Sequence, residues 1–154
     1  MNELRRATLE DAESIACYAR EADINELWAA AKSTPLATMV RGMGHSEAWT
    51  WLIDGVPVCM FGVTPLSILG GYGSPWMVGT HEIDSHAWAF LRSSRAGILE
   101  LFEQWDHLQN FVDARNTKAI KWLRYLGFTI HPAAPYGPFG LPFHHFEMRR
   151  ADHV

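Results

Sequence analysis

Four titratable side chains, His81, Glu82, Asp84 and His86, stand close together in the chain. A histidine near a carboxylate is suited to moving protons close to neutral pH. At a helix start the same residues would only cap it and face water. Glu47 is a further carboxylate, just ahead of a β-rich segment. His144 and His145 are adjacent, so on a strand they face opposite sides and cannot form one metal pair. No other His or Cys cluster has ligand spacing, and no metal is expected. Ser93 and Ser94 lie beside arginines, but nothing supplies a base at a defined spacing, so they read as capping residues at a helix break. Cys17 falls in a helical pattern and Cys59 in an apolar strand. Both read as buried thiols rather than a disulfide framework or zinc site, and a reducing cytoplasm fits them.

The whole chain must be able to position such groups. Its 154 residues are 48% hydrophobic and 19% charged, with seven Trp and eight Phe. That is enough for a core in one domain spanning 1–154, and too little charge for disorder. The net charge of -4 is uneven: the first 27 residues are acidic, whereas residues 115–150 carry Arg115, Lys118, Lys121, Arg124, Arg149 and Arg150 against Glu147. An anionic ligand near the C-terminal half is one reading and an ordinary solvated surface the other, with the second favoured. No basic run is dense enough to indicate nucleic acid. The opening Met-Asn-Glu-Leu-Arg-Arg lacks a signal-like apolar run, and no apolar stretch reaches membrane-spanning length, so a soluble protein is expected.

Periodicity then places the elements. Residues 4–7 suit an edge strand. Thr8 can cap a helix over 9–21, and an Ala-rich helix over 23–32 stops before Pro35. Residues 48–53 and 56–63 flank Asp54-Gly55, a strong hairpin signal. Trp49 and Trp51 share one face, with Cys59 and Phe61 expected across the hairpin as core rather than an acceptor groove. A strand follows at 75–79 after a turn-rich connection. Residues 81–107 read as helical with a break near Ser93-Ser94, and Ile98, Leu101, Phe102 and Trp105 form an apolar stripe. A short strand centres on Phe111-Val112, and a helix over 116–126 closes at Gly127. Residues 131–142 read as a loop whose apolar stretch 136–142 could contact another protein, and 143–149 as the last strand. The order implies a β-α-β unit within a mixed sheet flanked by helices.

The run from Asn116 through Ala119 to Gly127-Phe128 resembles the strand-helix-Gly-Phe signature near the end of Gcn5-related N-acetyltransferases (GNATs). The resemblance implies an α/β (α+β) fold with a mixed, mostly antiparallel central sheet flanked by helices. It also implies acetyl-CoA as cofactor, held by a loop of the form Arg/Gln-x-x-Gly-x-Gly/Ala at the start of the central helix. Counted back from Asn116, that loop falls on Arg92-Ser93-Ser94-Arg95-Ala96-Gly97. Arg95 stands where a glycine belongs, and it either blocks the phosphate cradle or pairs with phosphate; blocking is favoured. Val78 would lie on the strand polarising the thioester, and Asn116 near the coenzyme. His81 or Glu82 would take the amine's proton. The tyrosine that serves many GNATs as an acid is replaced by Leu123, and Tyr125 points elsewhere on the helix.

Trp76-Met77-Val78-Gly79-Thr80, the stretch 92–95, Leu108–Val112, Asn116 and Gly127 also resemble the small internal virion protein family of T7-like phages, a divergent GNAT-like group. This implies a degenerate acetyltransferase in the host cytoplasm or virion, acting through contacts with phage or host proteins. The alternative is an active acetyl-CoA-dependent N-acetyltransferase on an unknown amine. Fold alone does not separate the two.

Overall fold

Thr8 opens the helical part of the chain through a reciprocal pair of hydrogen bonds. Its hydroxyl accepts from the Asp11 amide at 3.2 Å, and the Asp11 carboxylate accepts from the Thr8 amide at 3.0 Å. Two donors that a helix start leaves open are thereby satisfied. The computed structural model describes residues 2–150, apart from the side chains of Ile98, Leu99, Leu101 and Phe102. Most of the expected apolar stripe on the long helix therefore lies outside the described residues, although Trp105 is buried.

The elements run β1 (Asn2–Arg6), α1 (Leu9–Cys17), α2 (Glu21–Ala31), α3 (Pro35–His45), β2 (Ala48–Ile53), β3 (Val56–Ser67), β4 (Tyr72–Gly79), α4 (Glu82–Ser85), α5 (Ala87–Gln104), β5 (His107–Asp113), α6 (Thr117–Leu126), β6 (Thr129–Ile130), β7 (Ala134–Tyr136) and β8 (Leu141–Arg149). They form one sheet ordered β1-β2-β3-β4-β5-β8-β6, with β7 pairing to β8. Only the β4–β5 contact is parallel. Asp54 and Gly55, at φ 50° and 80°, make the tight turn of the expected hairpin. It sets Trp49 opposite Phe61 and Trp51 opposite Cys59. Trp51 and Cys59 are core residues, packed with Ile83 and Phe90.

Alternation along the strands divides the core. Ala48, Met60 and Val78 pack under α1 and α3, while Leu108, Val112, Phe146 and Met148 pack under α6 on the other face. No helix among the described residues is long and apolar enough to cross a membrane.

Several expectations change. Pro35 begins a helix instead of only ending one: Thr34 caps the Ala37 amide at 3.2 Å, and proline suits the first helical position. The helical break falls at His86, because Ile83, fully buried, pins the short α4 and the His86 amide closes on its carbonyl at 3.2 Å. From there α5 runs unbroken through Ser93 and Ser94. β4 begins at Tyr72, ahead of Pro75. The expected loop over 131–142 contains β7, whose Tyr136 stacks on Phe111 at 4.0 Å. Cys59 is buried as expected, but Cys17 is exposed at the end of α1, off the face that buries Ala12 and Ile15.

Candidate functional site

The parallel strands β4 and β5 touch only at their beginnings, where Tyr72 pairs with His107 and Gly73 with Leu108. The Asn110 side-chain amide then spans to the Pro75 carbonyl at 2.7 Å. Beyond that point the ladder ends and the sheet is split. Alternate β4 residues turn their backbone polar groups toward the split. Proline has no N–H to offer there, and Gly79 stands at the wide end.

Helix α2 closes that end. An isolated bridge joins Ala19 to Thr80, and the Arg20 amide donates to the Gly79 carbonyl at 2.9 Å. This fixes the start of α2 beside β4. Asp23 and Glu26, nearly one turn apart, then share the inward face with Leu27. The Asp23 carboxylate accepts the Gly79 amide at 2.9 Å, and Glu26 accepts the Asp113 amide of β5 at 2.8 Å. One helix thus supplies a carboxylate to each side of the split.

Arg20 completes the plug. It is 5% exposed and lies 4.9 Å over the Trp122 ring. Its closest polar partner is the Asn116 side-chain oxygen at 3.5 Å, with Asp84 at 3.9 Å and Asp23 at 4.0 Å. Among the described residues its Nη1 nitrogen has no hydrogen-bond partner. Burial, partly offset by Arg20 and the Gly79 amide, raises the Asp23 carboxyl above its ordinary range. Burial likewise pushes Glu26 up to about 7. A carboxyl at that value can hold or release a proton near neutral pH.

Of the residues singled out in the sequence, Asn116 and the strand end at Val78 meet at this split. Asn116 is 4% exposed, caps the Ala119 amide at 3.4 Å and donates to Glu26 at 3.3 Å. Val78 is fully buried, and its side chain belongs to the core under α1 and α3. Arg92, Arg95 and Gly97 lie past the first turn of α5, not at a helix start. Interior helical N–H groups bond the carbonyl four residues back, so they do not point at a phosphate. Arg95 instead stacks 5.0 Å over Tyr125. The open donors of this helix belong near Ala87, where no glycine stands and the Phe90 amide already bonds His86 at 3.0 Å. His81 and Glu82 are exposed on the first turn of α4; Glu82 lies 4.0 Å from His86. Leu123 packs on the core, and Tyr125 faces Trp88 and Arg95.

Arg20, Asp23 and Glu26 were not singled out by sequence reasoning, which noted the acidic front only as part of the uneven charge. The available signal was their register: Asp23, Glu26 and Leu27 follow the i, i+3, i+4 spacing of a buried stripe.

No protein-family model and no curated protein matches the sequence. Solved structures do match the fold. One is the aminoglycoside acetyltransferase AAC(6')-Ib in complex with coenzyme A, at TM-score 0.69 and 16% identity, covering 99% of this chain and 96% of that one. A GNAT-family acetyltransferase from Streptococcus pneumoniae matches at TM-score 0.63 and 12% identity, over 97% and 99% of the two chains. A spermidine N-acetyltransferase chimera from Vibrio cholerae and hSSAT matches at TM-score 0.71 and 9% identity, over 97% and 96%. Identities this low speak to architecture alone, and the architecture is that of the GNAT acetyltransferases.

Proposed function

We propose that this chain is a GNAT-fold protein whose acyl-coenzyme slot has become a structural plug, and that it acts by binding other proteins. The observation that carries this reading is the Asp23 carboxylate on the Gly79 amide. A thioester polarised by the end of β4 needs a backbone donor there; the Gly79 amide is taken inside a buried network, which leaves Met77, two residues earlier, as the alternate β4 position on that side. The phosphate end fits no better, since Arg92–Gly97 is helix interior and the start of α5 lacks glycine. These residues do not fit acetyl-CoA as they stand. Contact surfaces are present elsewhere. Ile24, Trp28, Phe139 and Leu141 help line a cleft of about 290 Å³, and Ile68 and Leu69 stand fully out on the β3–β4 turn. The sequence resemblance suggests a phage virion or assembly setting, with phage or host proteins as partners and host cytoplasm or virion as location.

The competing reading is an N-acetyltransferase acting on an unknown amine, and one observation favours it: Glu26, pushed up to about 7 by burial, lies at the end of the split beside Asp113. Calorimetric titration with acetyl-CoA and coenzyme A at millimolar ligand separates the two. The expected result is no heat and no thermal shift. Micromolar binding that Asn116→Ala weakens would replace the binding-protein reading with the enzyme. The phage setting predicts recovery of the chain from purified particles, and its absence from them removes the virion role.

A further inference from the structure

The face of β5 and β8 turned away from α6 carries a group of side chains that the split sheet does not use. β5 and β8 pair Gln109 with Glu147 and Phe111 with His145, so Glu147 and His145 lie two apart on that face. β6 pairs Thr129 with Glu147, and the His131 amide extends its ladder to the His145 carbonyl at 2.9 Å. The His131 ring therefore stacks on the His145 ring, with centroids 5.2 Å apart and planes 13° apart. His131, His145 and Glu147 each present one ligand atom, and these atoms all lie within 4.8 Å of one another.

We propose that His131, His145 and Glu147 form a zinc-class divalent metal site. Two imidazoles and a carboxylate are a known zinc donor set, with a fourth position open to water. Bonds of about 2.0–2.1 Å in a tetrahedron bring ligand atoms to roughly 3.3 Å separation, so only small side-chain adjustments are needed. The outer contacts are already those a metal site uses. His145 Nε2 bonds the Gln109 side-chain oxygen at 3.0 Å, which leaves Nδ1 facing Glu147 Oε2 at 3.9 Å. His131 Nε2 meets the same Oε2. The other carboxylate oxygen, Oε1, is held by His107 Nε2 at 2.8 Å, with Arg149 Nε 3.6 Å away. Second partners of this kind fix the ring tautomer and carboxylate orientation around a metal. His131 is 41% exposed and His145 29%, so an ion can enter from solvent. A bound ion would tie the chain after β6 to the middle of β8. His144 takes no part: it points to the other face, where its Nδ1 bonds the His131 carbonyl at 2.8 Å.

This site is independent of whether acetyl-CoA binds. The test uses the full-length, tag-free protein stripped with chelator and titrated with zinc by calorimetry. The expected result is one site with a dissociation constant of about 1 µM or tighter. Cobalt loading should give the visible absorption of a four-coordinate ion. His131→Ala and Glu147→Gln should each weaken zinc by at least about tenfold, and Gln109→Ala, which removes only an outer contact, by a similar factor. His45→Ala, on the exposed end of α3, should leave affinity unchanged. Far-UV circular dichroism checks that each variant is folded. No binding up to about 100 µM zinc, or binding that His131→Ala and Glu147→Gln both leave intact, would overturn the site.

Discussion

A single carboxyl gives the plug a pH dependence. Glu26 is pushed up to about 7 mainly by burial, although the Asp113 amide donates to it. Its ordinary value is 4.5, so the folded chain binds this proton more tightly than the unfolded chain. The stability it contributes is complete below the unfolded value and is lost as pH rises through the folded one. That span corresponds to about 3 kcal/mol. Glu26→Gln keeps an acceptor for Asp113 and removes the titration. The variant should match the parent near pH 4 in urea denaturation and exceed it near pH 8, by up to about 3 kcal/mol. A gap independent of pH would remove this assignment. Other groups titrate in the same range, but comparing the two proteins cancels them. The register of α2 marked Glu26 as inward-facing, but the size of its shift was not legible locally: it comes from burial by parts of the chain that only the fold brings together, against the opposing bonds from the Asp113 amide and Asn116.

Among elements, those with local causes were legible in advance. Thr8, Asn116, Asp54-Gly55 and Gly127 act through bonds or dihedrals within a few residues, and each does what its residue type implies. Less legible were α3, whose Thr34-Pro35 start was read only as a stop, and β7, which exists by pairing with β8. The α5 start was misplaced because Ile83, a tertiary anchor, fixes the break. Two glycines test this picture at opposite signs. Among the described residues a Cβ on Gly97 would meet nothing within 4 Å, so Gly97→Ala should raise helix stability by about 0.5–1 kcal/mol. A Cβ on Gly42 would lie 2.4 Å from the ring of Trp76, which β4 packs against α3. Gly42→Ala should therefore destabilise by about 1–3 kcal/mol. Thermal denaturation of both variants checks the pair, and a destabilising Gly97→Ala would contradict its placement in open helix interior.

Across the whole molecule, the split sheet is the feature on which the proposed loss of coenzyme binding rests. The GNAT architecture leaves β4 and β5 unpaired beyond Pro75, and this chain fills the gap with Arg20, Asp23 and Glu26 from one helix. Element order pointed to the architecture, whereas the content of the gap depended on side chains that only packing brings together. A buried guanidinium with no polar partner closer than 3.5 Å is a weak bond but a costly charge to leave alone. Arg20→Ala leaves Asp23 buried without its main cation, and Asp23→Ala takes one of two nearby carboxylates from Arg20 and leaves the Gly79 amide without its acceptor. Each single change should cost about 3–5 kcal/mol. The double variant should cost less than the sum of the two by about 1–3 kcal/mol, measured as a urea-denaturation cycle. Additive losses would mean the two residues act separately, and that α2 is held to the split by its backbone bond to Gly79 and by Glu26.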